Sequence, residues 1–207
     1  ELSSSGAKVL QLRAVEYASK FKLPLRVLSS FNEGEGTLVQ EEKNIMERPI
    51  VSGISSIDTE AKLTIRGVPD VPGVAAKILS PISDQEIEVD VIVQNISADN
   101  NTDFTFTVDK ADAKRAEDIL KEVSESLGGG LVEVDDNIAK ISIVGRGMRA
   151  HAGVASKMFQ ALAKSEINIS MITTSEIKIS VVIEKSEMSK AVTALHEAFD
   201  LAKELDT

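Results

Sequence analysis

Ala61-Lys62-Leu63-Thr64-Ile65 and Ala139-Lys140-Ile141-Ser142-Ile143 are one alternating apolar and polar pattern written twice, 78 residues apart. Alternation with period two sets one face of a strand against a core and leaves the other polar. Beyond each copy, Gly73-Val74-Ala75-Ala76-Lys77 recurs as Gly153-Val154-Ala155-Ser156-Lys157, now 80 residues apart, and Ile87 to Val93 matches Ile167 to Thr173 at that same spacing. The turn between strand and helix is therefore two residues longer in the second copy. A repeat of this length means two copies of one structural module.

In the first copy the strand leads through a glycine-bearing turn into a helix with Val74, Ile78, Leu79 and Ile82 on its apolar face. Two strands follow, Val89 to Val93 and Phe104 to Val108, joined by the polar stretch Ser97 to Asn101. A second helix runs from about Asp112 to Leu127, Gly128-Gly129-Gly130 stops it, and Leu131 to Val134 gives a last strand. The order βαββαβ is ferredoxin-like. The second copy offers strand Ala139 to Val144, helix Val154 to Lys164, strands Ile169 to Thr173 and Ile177 to Ile183, and helix Met188 to Phe199, but no final strand. Its sheet needs an edge, and the apolar segment Ile50 to Ile57 supplies one. The expected fold is α+β, two ferredoxin-like modules with the first inserted into the second. Upstream, Val9, Leu10, Ala14, Val15 and Ala18 fall at helical spacing, Leu23 to Leu28 reads as a strand, and Asn32 to Arg48 reads as a polar linker. A boundary near residues 40–48, around Met46, divides the chain into residues 1–45, a first module at 61–135, and a second module from 46–60 with 136–207.

The chain has 207 residues, 43% of them hydrophobic and 27% charged, enough apolar surface for real cores. Its net charge of −10 opposes nucleic acid and anionic membranes, since binding phosphate needs Lys and Arg to displace counterions. Without cysteine there is no disulfide, thiol nucleophile or Cys-ligated metal, and two histidines, His151 and His196, leave little for metal or triad chemistry. No apolar run approaches the roughly 20 residues of a bilayer span. Cytoplasmic location is the expectation.

The turn Gly67-Val68-Pro69-Asp70-Val71-Pro72-Gly73-Val74-Ala75 suits a zwitterion. Amides of Gly73, Val74 and Ala75 would open the helix, where the dipole favours a carboxylate, and Asp70 can take an ammonium. An ordinary loop with Asp70 as helix cap fits the same residues. Gln94 and Asn95 end the second strand, expected beside the strand that leads into this loop, and supply neutral polar groups. The matching end of the second module is Thr173-Thr174-Ser175-Glu176, so the two modules differ chemically. Gly145-Arg146-Gly147 begins like a nucleotide loop, but the spacing does not continue as G-x-G-x-x-G. Phe104 and Phe106 alternate as base-stacking aromatics do, yet the basic patch is missing and a core position fits better.

These residues resemble a known family. Gly6-Ala7-Lys8-Val9-Leu10, Arg13 to Ala18, Pro24 to Val27 and Gly36-Thr37 look like the end of the amino-acid kinase domain of aspartokinase. Gly67 to Gly73, Val93-Gln94-Asn95, Gly147-Met148-Arg149 and Ser175-Glu176-Ile177-Lys178-Ile179-Ser180 resemble its paired regulatory ACT domains. The resemblance departs at Gln11-Leu12, where many members carry His-Pro. It implies feedback control of aspartate phosphorylation, with threonine and/or lysine as effectors and no cofactor in this chain, ATP and Mg being needed only in the complete kinase. The family's catalytic motifs lie upstream of the matching segment, so the chain alone is expected to be inactive and to work with a catalytic aspartokinase chain. ACT modules of the family pair across chains, implying a homodimer or heterotetramer. Carried over by position, the effector site comprises Asp70, Gly73, Val74, Ala75, Gln94, Asn95 and Ser97 of one chain with Ala155, Asn168 and Ile169 of its partner. An ACT-type regulator of another amino-acid enzyme is the alternative.

Overall fold

The computed structural model describes residues 2–3, 6, 10–40, 51–96, 101–128, 130–145 and 153–202. The boundary region around Met46, Ser97, Gly147-Met148-Arg149 and His151 lie outside them. Helix α1 (Leu12–Lys20) is opened by Gln11, whose side chain accepts the Ala14 amide at 2.8 Å. Strands β1 (Leu25–Val27) and β2 (Thr37–Val39) then pair antiparallel. The segment read as polar linker thus contains a strand. Gly36 explains it: at φ +66 and without a Cβ, it packs where a side chain would meet Val27 O at 2.3 Å, so the chain can return along β1.

Strand β3 (Val51–Ile57) passes directly into β4 (Glu60–Pro69), which opens the first module. Helix α2 (Val74–Asp84), strands β5 (Val89–Ile96) and β6 (Asn101–Asp109), helix α3 (Ala113–Ser126) and strand β7 (Leu131–Asp135) complete it. Its sheet runs β5-β6-β4-β7. Ala61, Leu63, Ile65 and Val68 face Ile78 and Ile82 of α2 and Ala116 and Leu120 of α3, all fully buried. Phe104 and Phe106 belong to this core, edge to face with centroids 6.3 Å apart, and are not a base-stacking surface.

The second module has strand β8 (Ile138–Gly145), helix α4 (Val154–Lys164), strands β9 (Met171–Thr174) and β10 (Lys178–Glu184), and helix α5 (Met188–Ala198). Its sheet runs β3-β8-β10-β9, so β3 takes the edge left without a strand of the module's own, and the first module is inserted between β3 and β8. Ile141, Ile143, Val181 and Ile183 pack on Met158, Leu162 and Leu195. A third, small cluster of Val91, Val93, Ile138, Met171 and Val182 joins the helix-free faces of the two sheets. At that seam Lys140, only 3% exposed, pairs with Glu60 at 2.5 Å and with Asp90, both from the other module. Among the described residues no helix is long and apolar enough to cross a membrane.

Candidate effector site

Strand order separates two segments that the sequence suggested would be neighbours. β6 lies between β5 and β4, so Gln94 and Asn95 are one strand further from the Asp70 loop than adjacency would place them. The distance is bridged by a side chain: Gln94 Nε2 donates to Asp70 Oδ1 at 3.5 Å, the outer limit of a hydrogen bond. Gln94 can do so because it pairs with Phe104 and shares that residue's helix-covered face. Asn95 pairs with Asp103 and points to the opposite face, as period two requires.

Asp70 is half-buried and caps no helix. The N-cap of α2 is Gly73, at φ 91, and among the described bonds no side chain, that of Asp70 included, accepts an amide of that turn, which counts against the capping alternative. Of the three amides expected at the helix start, that of Val74 already donates to Val71 O at 3.1 Å. Among the described bonds the amides of Gly73 and Ala75 have no protein acceptor, so two donors rather than three face outward with the positive end of the helix dipole. Ile92, half exposed, lies on the same face of β5 as Gln94 and offers apolar surface beside the polar pair.

The second-module residues fall elsewhere in the single chain. Ile169 lines, together with Asn95, a cleft of about 430 Å³ between the sheets, whose walls include Lys62, Arg66, Asp103 and Met171. Asn168 lines a different, acidic cavity of about 440 Å³ with Asp135, Glu166 and Glu184. Ala155 is half-buried against the second core, the second residue of α4. Among the described residues no bond joins any of these three to the Asp70 loop. Ser97 lies outside the described residues.

The charged residues below the loop were not singled out from the sequence. Arg66 donates to Glu133 Oε2 at 2.9 Å and to Asp103 Oδ2 at 3.2 Å, and these carboxylates, Glu133 foremost, hold its guanidinium above the usual arginine range. Asp103 Oδ1 also accepts the Gly67 amide at 3.0 Å. The one available signal was a charge in a strand whose alternate residues are Phe104 and Phe106.

Two βαββαβ-type modules, interleaved through one edge strand and with a polar loop at a helix start, define a protein of paired ferredoxin-like modules. ACT-domain family profiles match residues 63–128 and 141–199. The chain is similar to the aspartokinase of Pseudomonas aeruginosa, at 61% identity over 203 residues, which is 97% of this chain and 49% of that protein. It is similar to the crystal structure of aspartokinase alpha and beta subunits, at 48% identity and TM-score 0.68, over 72% of this chain and 99% of that one. It is also similar to the regulatory subunit of aspartate kinase from Thermus thermophilus, at 38% identity and TM-score 0.69, again over 72% and 99%. The chain belongs to the aspartokinase family. It spans about half the length of the curated relatives it matches.

Proposed function

We propose that this chain is the amino-acid-sensing part of an aspartate kinase, in which threonine, lysine or both bind at the Asp70 loop and lower the activity of the catalytic half. One observation carries the reading: a half-buried carboxylate beside a helix start caps no helix among the described residues and is met by a neutral amide at 3.5 Å. An α-amino acid carries an ammonium and a carboxylate on one carbon. Asp70 with the Gln94 amide oxygen suits the first, and the Gly73 and Ala75 amides suit the second. Bound effector changes activity only through its different affinity for the active and inhibited states. ATP and Mg belong, on this reading, to a catalytic chain with which the region assembles as an ACT-paired homodimer or heterotetramer. Among the described residues no group of three His, Asp or Glu is placed to hold a metal ion.

Calorimetric titration of threonine and lysine into the chain tests the site. Asp70→Asn keeps shape and removes charge, so affinity is expected to fall about ten- to a hundredfold, the worth of a charged hydrogen bond, with little change in melting temperature. Gln94→Ala, which removes a neutral partner, weakens binding less. Wild-type affinity in Asp70→Asn rejects the reading.

A further inference from the structure

The register of β4 against β6 changes just before the Asp70 loop. Ile65 pairs with Phe104, but the next pair is Val68 with Thr102, so Arg66 and Gly67 together stand opposite the single residue Asp103. This is a β-bulge, and Gly67 at φ +67 holds a left-handed conformation that glycine adopts without a Cβ penalty. Asp103 bonds both bulged residues: one oxygen accepts the Gly67 amide at 3.0 Å, the other the Arg66 guanidinium at 3.2 Å. The extra residue has a directional consequence. Ala61, Leu63 and Ile65 face the core, and strict alternation would turn residue 67 inward; with the bulge it is Val68 that is buried, at 0% exposure. Every residue beyond the bulge changes face relative to the strand before it. Asp70 therefore leaves on the face of Phe104, where Gln94 waits, and not on the face of Asn95 and the intermodule cleft.

The second module provides the internal contrast. Gly145 occupies the repeat position of Gly67, but its amide donates to the backbone carbonyl of Ile177 at 2.9 Å, and β8 runs against β10 without a register shift. Val144 and Lys178 stand there in place of Arg66 and Asp103. Neither can make the corresponding bonds.

We infer that Asp103 is a positioning residue for the effector loop of the first module: by holding the Arg66–Gly67 bulge it presents Asp70 to Gln94 and to the bound amino acid without touching that ligand. The inference rests on the effector reading given above, but the bulge itself is measurable without ligand. Arg66 is half exposed, and an exposed ion pair contributes little, so the acceptor for the Gly67 amide is the working part of Asp103. That decides which variant should rescue.

The test pairs amide hydrogen exchange of the ligand-free chain with calorimetry of threonine and lysine, using Asp103→Ala, Asp103→Asn and Gly67→Ala. Asp103→Ala is expected to speed exchange at Gly67 at least tenfold and to weaken amino-acid affinity by about tenfold, one well-placed hydrogen bond's worth. Asp103→Asn keeps an oxygen acceptor and should stay within about threefold of wild type in both measurements. Gly67→Ala meets no atom within 4 Å, so it strains only the backbone, and it should reproduce the loss of affinity if Asp103→Ala does not fold. Unchanged Gly67 exchange in Asp103→Ala overturns the inference. So does faster exchange with wild-type affinity in a chain whose Asp70→Asn variant has lost binding. If the wild-type chain binds neither amino acid, the effector reading has failed, and the exchange rates alone decide whether Asp103 holds the bulge.

Discussion

Lys140 is a full positive charge in a strand whose eight residues are all buried. Its burial is tolerable because Glu60 and Asp90 reach it from the other module, and unequal because Glu60 is itself largely buried while Asp90 is half exposed. Among the described residues the second oxygen of Glu60 has no partner, so this carboxylate depends on Lys140 more than Asp90 does. Removing one member of a buried ion pair strands the other, which costs about 3–5 kcal/mol, whereas replacing both with uncharged groups is far milder. Lys140→Met should therefore lower unfolding stability by about 3 kcal/mol in urea titrations, and Lys140→Met with Glu60→Gln should recover at least half of that loss. Equal stabilities for the single and double variants would mean that Asp90 alone balances the lysine. The sequence showed Lys140 only as the polar position of an alternating strand. Its burial comes from the packing of one module on the other, which local pattern does not encode.

At the level of elements, β3 is the least local feature of the fold. It lies ahead of the first module in the chain but completes the sheet of the second, pairing with β8 from Val51–Gly145 to Ile57–Lys140. Without it the buried β8 would expose a row of unpaired backbone groups and one side of the second core. Deleting residues 51–57 is expected to raise hydrogen exchange in β8, β10 and α5 well before β6 and α3 respond; equal losses in both modules would contradict the interleaved arrangement. The need for such a strand was legible, because the second repeat ended on a helix and one apolar segment was unassigned. Helix α4 was legible to its limits, since Gly153 and the apolar spacing of Val154, Met158 and Leu162 mark it locally. β2 was not, because Thr37 to Val39 is short and set among glycines and charges, and only pairing with β1 defines it. The site was half legible. The sequence named Asp70 and Gln94 together, and their side chains do meet, but the strand between them, the bulge that aims Asp70, and the opposite facing of Asn95 follow from register, which depends on partners distant in the chain.

For the whole molecule, the two halves of the proposed site are apart. Asp70 and Gln94 meet within one chain, while Ala155 and Asn168 lie on surfaces that no described bond connects to them. If the effector is held by both halves, the second half must come from another copy, and binding must be linked to association. A ligand that binds only the assembled form adds about 2.7 kcal/mol to its stability at 100 times its dissociation constant. The expected outcome is specific. In sedimentation velocity, millimolar threonine or lysine should move a dilute sample of the chain from monomer toward dimer, and the apparent affinity in calorimetry should tighten as chain concentration rises through the dimerisation range. Asp70→Asn should dimerise like wild type without ligand and lose the ligand-driven part, because on the proposed reading its carboxylate serves the effector's ammonium. An affinity independent of chain concentration would place the complete site within a single chain, with Ala155, Asn168 and Ile169 outside it.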